Sequence, residues 1–511
     1  MSYTHQIKVG AVVSYAAIIF NIVAGLIYTP WMVKVIGKSD FALYILANSF
    51  LTYFVIDFGL WQAIAKLLSK YRAEKSEGKA NNLIGLSVKF YLLFDLIICI
   101  TLIVIYFNLD GIFIKLTPGE IERFKIVYLI AGFFSVLSFP FISLKGIFIS
   151  YSLFAQISLF DLLAKAVTII IMVIVLLLGF GLYSLVLVTG FIGLIATLTK
   201  LYYLKRETNL RVNLTYYDRG LTKDLFRTSF WVFLIIVSEL LLRNSSPTIL
   251  GIFSGTGQIA IFAIAMLIDG YNTTFANAFN GFFLPKVTEL HIGNADTKTI
   301  NDLMIKVGRI QLVILGLVLV GFVTMGKEFI MLWMGPDYKE SYFITILLIA
   351  PGLVIFTQEI PNTLLFVANK LKYRSYVYFI GGIIGVIVTT SLASKFGALG
   401  AGIGIFIASA IFFLIGMNIV YWKVLKLDIL RFFLECHMKL LFPIGLALIA
   451  GFGIQYFYQA NSLISFFPKV ILLTIIYILL MWFLGMNRYE KQLVSSAIHK
   501  AFLLGDSPRS K

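Results

Sequence analysis

Ile157–Leu178 reads ISLFDLLAKAVTIIIMVIVLLL. At 1.5 Å per residue, about 20 such residues cross the hydrocarbon core of a bilayer, roughly 30 Å thick. In that core every backbone N–H and C=O must be satisfied inside the segment or in a closed barrel. A barrel strand would alternate apolar and polar residues over about ten positions, and this run does not alternate. The stretch therefore reads as a spanning helix. Its only charges, Asp161 and Lys165, sit at i,i+4 on one helix face.

Working outward, runs of the same kind fill the chain. They fall at Ala11 to Val33, Ala42 to Ala65, Ile84 to Tyr106, Ile126 to Leu144, Ile157 to Leu178 and Leu182 to Leu201, then at Phe226 to Leu250, Ile259 to Leu284, Ile310 to Met325, Ile344 to Val367, Tyr376 to Leu392 and Ala398 to Val420. Leu440 to Phe457 and Val470 to Leu484 follow, before a charged tail. The composition agrees, with 60% hydrophobic residues, 13% charged residues and a mean hydropathy of +0.94. The expected fold class is an all-α integral membrane protein of about fourteen transmembrane helices, two six-helix lobes around a central cavity plus two C-terminal helices. Basic connectors divide it into an N-terminal lobe (1–204), a linker (205–225), a C-terminal lobe (226–422) and a linker, two spans and tail (423–511).

The formal charge of +17 raises nucleic acid as a partner, but its distribution speaks against one. With the N-terminus cytoplasmic, one side collects Lys66, Lys70, Arg72, Lys75, Lys79, Lys205, Arg206, Arg211, Arg219, Lys223, Arg227, Lys370, Lys372, Arg374, Lys423, Lys426, Arg431 and the tail. The other side holds Lys34, Lys38, Lys115, Arg123, Lys125, Lys327, Lys339, Lys395 and Lys469. This is the positive-inside pattern, and it places both termini in the cytoplasm of a cell-membrane protein. The first apolar run is too long for a cleavable signal and reads as a span. Cys99 and Cys436 offer no metal spacing or disulfide framework. His5, His291, His437 and His499 all fall in segments read as cytoplasmic, and no phosphate-cradling loop or hydrolase motif appears. No cofactor is expected.

An internal repeat is legible. Gly37-Lys-Ser-Asp-Phe-Ala42-Leu-Tyr-Ile-Leu-Ala47 shares its glycine and both alanines with Gly255-Thr-Gly-Gln-Ile-Ala260-Ile-Phe-Ala-Ile-Ala265. Phe180-Gly181 matches Phe396-Gly397 in nearly the same register. Halves with an even number of spans share orientation, which predicts a cavity between two parallel lobes.

A charge near the bilayer centre costs about 2.5 to 3.5 kcal/mol on insertion scales, so such residues usually face a bundle interior or a wet cavity. Glu239 and Arg243 form an i,i+4 pair beside Asn244, Ser245, Ser246 and Pro247, and Asp161 with Lys165 forms another. Asp57, Asp95, Asp269 and Glu359 are lone acids within spans, and Asn21 is a polar residue inside the first span. The bland alternative is that the two pairs neutralise themselves to permit insertion and the acids are protonated fillers.

Val35-Ile-Gly37-Lys-Ser-Asp-Phe-Ala42-Leu-Tyr44, Tyr53-Phe-Val-Ile-Asp57-Phe-Gly59-Leu-Trp-Gln-Ala63, Gly146-Ile-Phe-Ile-Ser-Tyr151-Ser-Leu-Phe154 and Phe396-Gly397-Ala-Leu-Gly400-Ala-Gly402, with the span count, resemble the polysaccharide repeat-unit flippases. These are the O-antigen, capsule and exopolysaccharide exporters of the multidrug, oligosaccharidyl-lipid and polysaccharide exporter superfamily. The resemblance implies a bacterial protein, not an enzyme, that passes an undecaprenyl-diphosphate-linked oligosaccharide from the inner to the outer leaflet by alternating access. It also implies partners in a glycan polymerase and glycosyltransferases of the same pathway. On that reading Arg243, with Glu239 as its counter-ion, and Lys165 meet the diphosphate, while Asn21 and Asn244 hydrogen-bond sugar. Asp57, Asp269, Asp161 and Glu359 are candidates for coupling Na⁺ or H⁺. The competing readings are a multidrug exporter of the same superfamily and a membrane glycan polymerase. Asn21 stands where related drug exporters commonly carry an aspartate.

In a background with Cys99 and Cys436 replaced by Ser, a cysteine at Lys205 is expected to react with a membrane-impermeant maleimide only after permeabilisation. A cysteine at Lys115 should react in intact cells. The reverse pattern would invert the topology.

Overall fold

Lipid leaves runs of this length a helical solution, and helices are what they form. The computed structural model describes residues 3–277 and 283–505, and among these every regular element is helical. The expected span Ile259 to Leu284 runs over residues 278–282, which lie outside the described residues.

In chain order the N-terminal elements are α1 (Tyr3–Ile36), α2 (Lys38–Thr52), α3 (Leu60–Ala73), α4 (Glu77–Tyr106), α5 (Leu109–Ile112), α6 (Pro118–Ser138), α7 (Leu144–Ser150), α8 (Phe154–Leu177) and α9 (Leu182–Glu207). Then come α10 (Arg219–Arg243), α11 (Ser245–Phe253), α12 (Thr256–Asn277), α13 (Leu284–Ile292), α14 (Thr297–Trp333), α15 (Ser341–Ile349), α16 (Gly352–Ile355), α17 (Glu359–Val367) and α18 (Leu371–Ala408). The chain ends with α19 (Met417–Leu425), α20 (Ile429–Phe432), α21 (Lys439–Phe457), α22 (Leu463–Leu480) and α23 (Arg488–Gly505). Several starts are fixed by side chains that satisfy orphan N–H groups. Asp218 accepts from Leu221 N at 2.6 Å, and Asp296 accepts from Thr299 N at 2.9 Å. Thr117 and Glu120 form a capping box behind Pro118.

Twelve helical stretches among the described residues are long and apolar enough to cross a membrane, against the fourteen expected. The difference arises at two places. The run Ala42 to Ala65, expected as one helix, is broken between α2 and α3, where Phe58 (φ 42°) and Gly59 (φ 70°) take left-handed conformations. The Asp57 carboxylate accepts from Trp61 N at 3.2 Å and from the Tyr91 hydroxyl, giving the backbone a local partner that competes with a continuous helix. A Cβ at position 59 would lie 2.9 Å from the Ser229 carbonyl oxygen, so α10 passes directly over the break.

The second place is Leu371–Leu425, one continuous helical stretch in which Gly397 is non-helical (φ 57°, ψ −136°). A Cβ added at Gly400 would meet Leu392, one at Gly404 would meet Thr389, and one at Gly385 would meet Ala408. Partners that recede as the glycines advance define an antiparallel hairpin of helices in near-backbone contact, the small-residue packing favoured where lipid gives no hydrophobic drive. Its arms are the expected Tyr376 to Leu392 and the first part of Ala398 to Val420.

By packing, the chain divides into Met1–Leu267 with Leu371–Phe413 and Ile268–Lys370 with Leu414–Lys511. In the first unit α10 lies on the glycine face of α18, with Gly382 against Ser238, while α1 packs on α8 and α6 on α9. In the second unit the long α14 packs against α15, α17, α21 and α22. This division measures packing. The partition at 204, 225 and 422 follows the repeat and the linkers, and it remains an expectation from sequence.

The first repeat match extends to conformation, because Gly37 and Gly255 have φ of 84° and 85°. The second does not, since Gly181 has φ −109° where Gly397 has 57°. Gly37, with ψ 162°, occupies a region reached essentially only by glycine. A Cβ there would meet no atom within 4 Å. Gly37→Ala is therefore expected to cost about 1 to 3 kcal/mol through backbone strain alone, read as a lowered Tm of the purified protein. An unchanged Tm would show that the turn is not held in this conformation.

Candidate functional site

Two faces of α8 are distinct. At 100° per residue, Leu159, Leu163, Ile170 and Ile174 fall on one side, and all are exposed, as a lipid-facing stripe should be. Ser158, Asp161, Lys165, Thr168, Met172 and Leu176 lie roughly opposite. On that second face Met172 and Leu176 are buried, whereas Asp161 and Lys165 are exposed. The accessible charges thus turn away from the stripe suited to lipid and lie in the half of α8 expected on the cytoplasmic side.

Asp161 is not neutralised by Lys165 as the i,i+4 spacing implied. Its Oδ1 lies 2.5 Å from Nζ of Lys200 on α9, the neighbouring helix, because α8 and α9 pack side by side. Among the described residues Lys165 has no hydrogen bond or ion pair.

Glu239 on α10 is half-exposed, with Oε1 3.7 Å from the guanidinium of Arg374 on α18. Sequence reading placed Arg374 among loop cations. The close packing of α10 on α18 brings it to the acid, and its guanidinium also lies 4.8 Å from the Tyr378 ring centroid. Arg243 is half-buried at the last turn of α10, where the helix breaks at Asn244 and restarts as α11 with Pro247 in its first turn. Proline has no N–H to donate to the Arg243 carbonyl, so the regular i,i+4 backbone bond is missing at this point. The Ser246 hydroxyl is buried without a hydrogen-bond partner among the described residues, while Ser245 and Thr248 face the Tyr53 side chain.

The remaining candidates separate by environment. Asp57 is committed to Tyr91 and Trp61. Asp95 on α4 has a buried Oδ1 with no partner among the described residues, and Asn21 on α1 is exposed. In the second unit Asp269 is buried on α12, and Glu359, in the first turn of α17, accepts from Thr363 Oγ1 at 3.3 Å. Around Glu359 runs a polar network that sequence reading missed. Gln358 Nε2 donates to Asn418 Oδ1 at 2.8 Å, Tyr421 OH donates to Asn362 Oδ1 at 2.8 Å, and Thr357 lies 3.4 Å from His437 Nε2. His437 was placed in a loop but sits in a helical stretch, Ile429–Phe457, that qualifies as a span.

Two buried ion pairs also escaped notice, because their partners are far apart in sequence. Arg309 Nε lies 2.5 Å from Glu490 Oε1, and the guanidinium also donates to the Glu435 and Gly485 carbonyls, tying α14 to the chain before α21 and after α22. Lys469, expected in an outer loop, is 2% exposed inside α22, paired with Glu328 and 2.7 Å from Gln455 Oε1. In the first unit Glu120 Oε1 accepts from Ser39 and Thr256, both at 2.7 Å, and so clasps the two copies of the repeated glycine turn. The Thr117-Pro-Gly-Glu120 cap was the available signal for that residue. Among the described residues no group of three His, Cys, Asp or Glu is placed to hold a metal.

This is a multi-pass helical membrane protein whose fold is shared with transporters of the superfamily named above. Against the solved structure of the lipid II flippase MurJ in an inward closed conformation, the TM-score is 0.68 at 14% identity, covering 92% of this chain and 98% of that one. An inward-facing multidrug resistance MATE transporter gives 0.59 at 16% identity, covering 80% and 98%. A superfamily transporter from Pyrococcus furiosus gives 0.56 at 14%, covering 82% and 96%. No curated protein sequence matches the chain closely. The family model described as polysaccharide biosynthesis protein matches residues 7–291, more than half the chain, and the chain belongs to that family.

Removing one partner of a buried pair leaves an uncompensated charge, typically at a cost of about 3 to 5 kcal/mol. Lys469→Ala should therefore lower the Tm sharply, and Glu328→Gln with Lys469→Met should recover most of the loss. Equal damage by the single and double variants would show that the pair is not acting through charge.

Proposed function

We propose that this protein flips an undecaprenyl-diphosphate-linked oligosaccharide repeat unit from the inner to the outer leaflet by alternating access. Family membership supports a polysaccharide pathway. The observation that carries the reading is Lys165. A diphosphate cannot cross hydrocarbon uncompensated. A cation that receives it must be reachable and not already neutralised. Lys165 is exposed, has no acid partner among the described residues and lies on the face of α8 opposite the lipid-facing stripe.

Arg243 is the second cation of this reading, offering a planar donor fork at a helix break. Glu239, shared with Arg374, restrains the guanidinium groups until substrate arrives. Asn21 and Asn244 hydrogen-bond sugar hydroxyls. The Glu120 clasp keeps the outer ends of α2 and α12 together while the inner side loads. Asp269, Glu359, Asp57 and Asp161 are proposed as the groups that couple a Na⁺ or H⁺ gradient. A polymerase and glycosyltransferases act before and after the flip.

Lys165→Ala and Arg243→Ala are each expected to cut glycan export about 10- to 100-fold, the scale of a lost charge-assisted phosphate contact, with membrane abundance unchanged. Lys165→Arg should retain most activity. Normal export in both alanine variants, or efflux of hydrophobic cations by proteoliposomes lacking polyprenyl lipid, would overturn the reading.

A further inference from the structure

Past the hairpin, α19 carries the chain to Lys426, which reverses it in a left-handed conformation (φ 58°), and α20 restarts two residues later at Ile429. Between these arms lies a groove of about 850 Å³. Its walls include Ile415, Ile419 and Leu430, all exposed, with Leu430 at 72%. One rim carries Trp422, 59% exposed, with Lys423 and Lys426 beside it. An apolar trough that ends in an aromatic ring and two cations has the chemistry of the bilayer at headgroup depth. This rim lies on the side to which the loop charges assign the cytoplasm, where anionic lipid is attracted to basic residues.

Of the other polar groups of the lining, the Asn418 amide and one oxygen of Asp428 are committed. Asn418 is engaged with Gln358 and with the Leu414 carbonyl, and the Asp428 carboxylate caps Arg431 N at 2.9 Å. Arg431 in turn is held by Asp302 at 2.6 Å and Glu435 at 2.8 Å. Among the described residues neither Lys423 nor Lys426 has an acid partner, and Lys423 Nζ lies 5.9 Å from the Trp422 ring centroid.

We propose that the groove is a site for one anionic glycerophospholipid, its acyl chains along Ile415, Ile419 and Leu430 and its phosphate between Lys423 and Lys426. The charge complementarity selects an anion, and the exposed apolar walls select a lipid. Beside the lysines, only the Trp422 indole and one oxygen of Asp428 are left to meet a ligand, few partners for the hydroxyls of a glycan-bearing lipid, which favours a simple headgroup. The proposal is independent of the transport reading.

The test uses the full chain in phosphatidylcholine nanodiscs titrated with phosphatidylglycerol, with bound lipid counted by native mass spectrometry. Saturable binding of one phosphatidylglycerol is expected, weakened about tenfold or more in Lys423→Ala/Lys426→Ala and retained in Lys423→Arg/Lys426→Arg. The control Lys205→Ala/Arg206→Ala, exposed cations on the same side, should bind as the parent does. Should the alanine variant not survive extraction, Ile419→Trp, which fills the trough while keeping the lysines, should abolish the saturable step. Undiminished binding in the groove variants, no saturable step in the parent, or displacement of phosphatidylglycerol by equimolar undecaprenyl phosphate would each overturn the proposal.

Discussion

Hydrocarbon offers no hydrogen bonds, and the whole architecture follows from that deficiency. Each run must close its own backbone ladder, and wherever the ladder is interrupted a substitute partner has to be near. The break between α2 and α3 is stabilised by Asp57, whose carboxylate takes a backbone N–H and the Tyr91 hydroxyl. The hairpin at Gly397 turns where glycine relieves the conformational penalty, and Gln258 Oε1 accepts the Ala398 N–H at 2.8 Å. At these two irregular places side chains supply the hydrogen bonds that water would otherwise make.

The same scarcity sorts the charges. Arg309 with Glu490 and Lys469 with Glu328 are buried, paired and supplied with further hydrogen-bond partners, as a low-dielectric interior demands. These groups hold helices together and are poorly suited to exchange partners with a passing substrate. Lys165 contrasts with them, because it is exposed and has no counter-charge among the described residues. Glu239 stands between the two cases, half-exposed and within reach of a cation from the adjacent helix. The proposed carriage of an anionic headgroup calls for groups of the second and third kind in the path and groups of the first kind in the frame.

Close helix contact makes these arrangements possible. Gly382 against Ser238, Gly385 against Ala408 and Gly59 against the Ser229 carbonyl bring backbones together where lipid gives no hydrophobic reward for doing so. Arg374 reaches Glu239 only because α10 lies against the glycine face of α18. A glycine pattern that looks like a packing device therefore also sets the electrostatics of a candidate site.

The sequence by itself determined the membrane-spanning helical class, the approximate positions of the spans, the family resemblance and the set of costly residues within the spans. Span length, hydropathy and charge are local properties, and lipid reads them one helix at a time. Tertiary structure alone decided who pairs with whom: Asp161 with Lys200, Glu239 with Arg374, Glu328 with Lys469, and Glu120 with Ser39 and Thr256. An i,i+4 spacing permits a pair but cannot show whether a neighbouring helix offers a better-placed partner, since that depends on helix rotation and packing that no single span encodes. The break at Asp57 was hidden for the same reason. Its stability comes from Tyr91 on another helix, and its left-handed glycine is fixed by the close passage of a third.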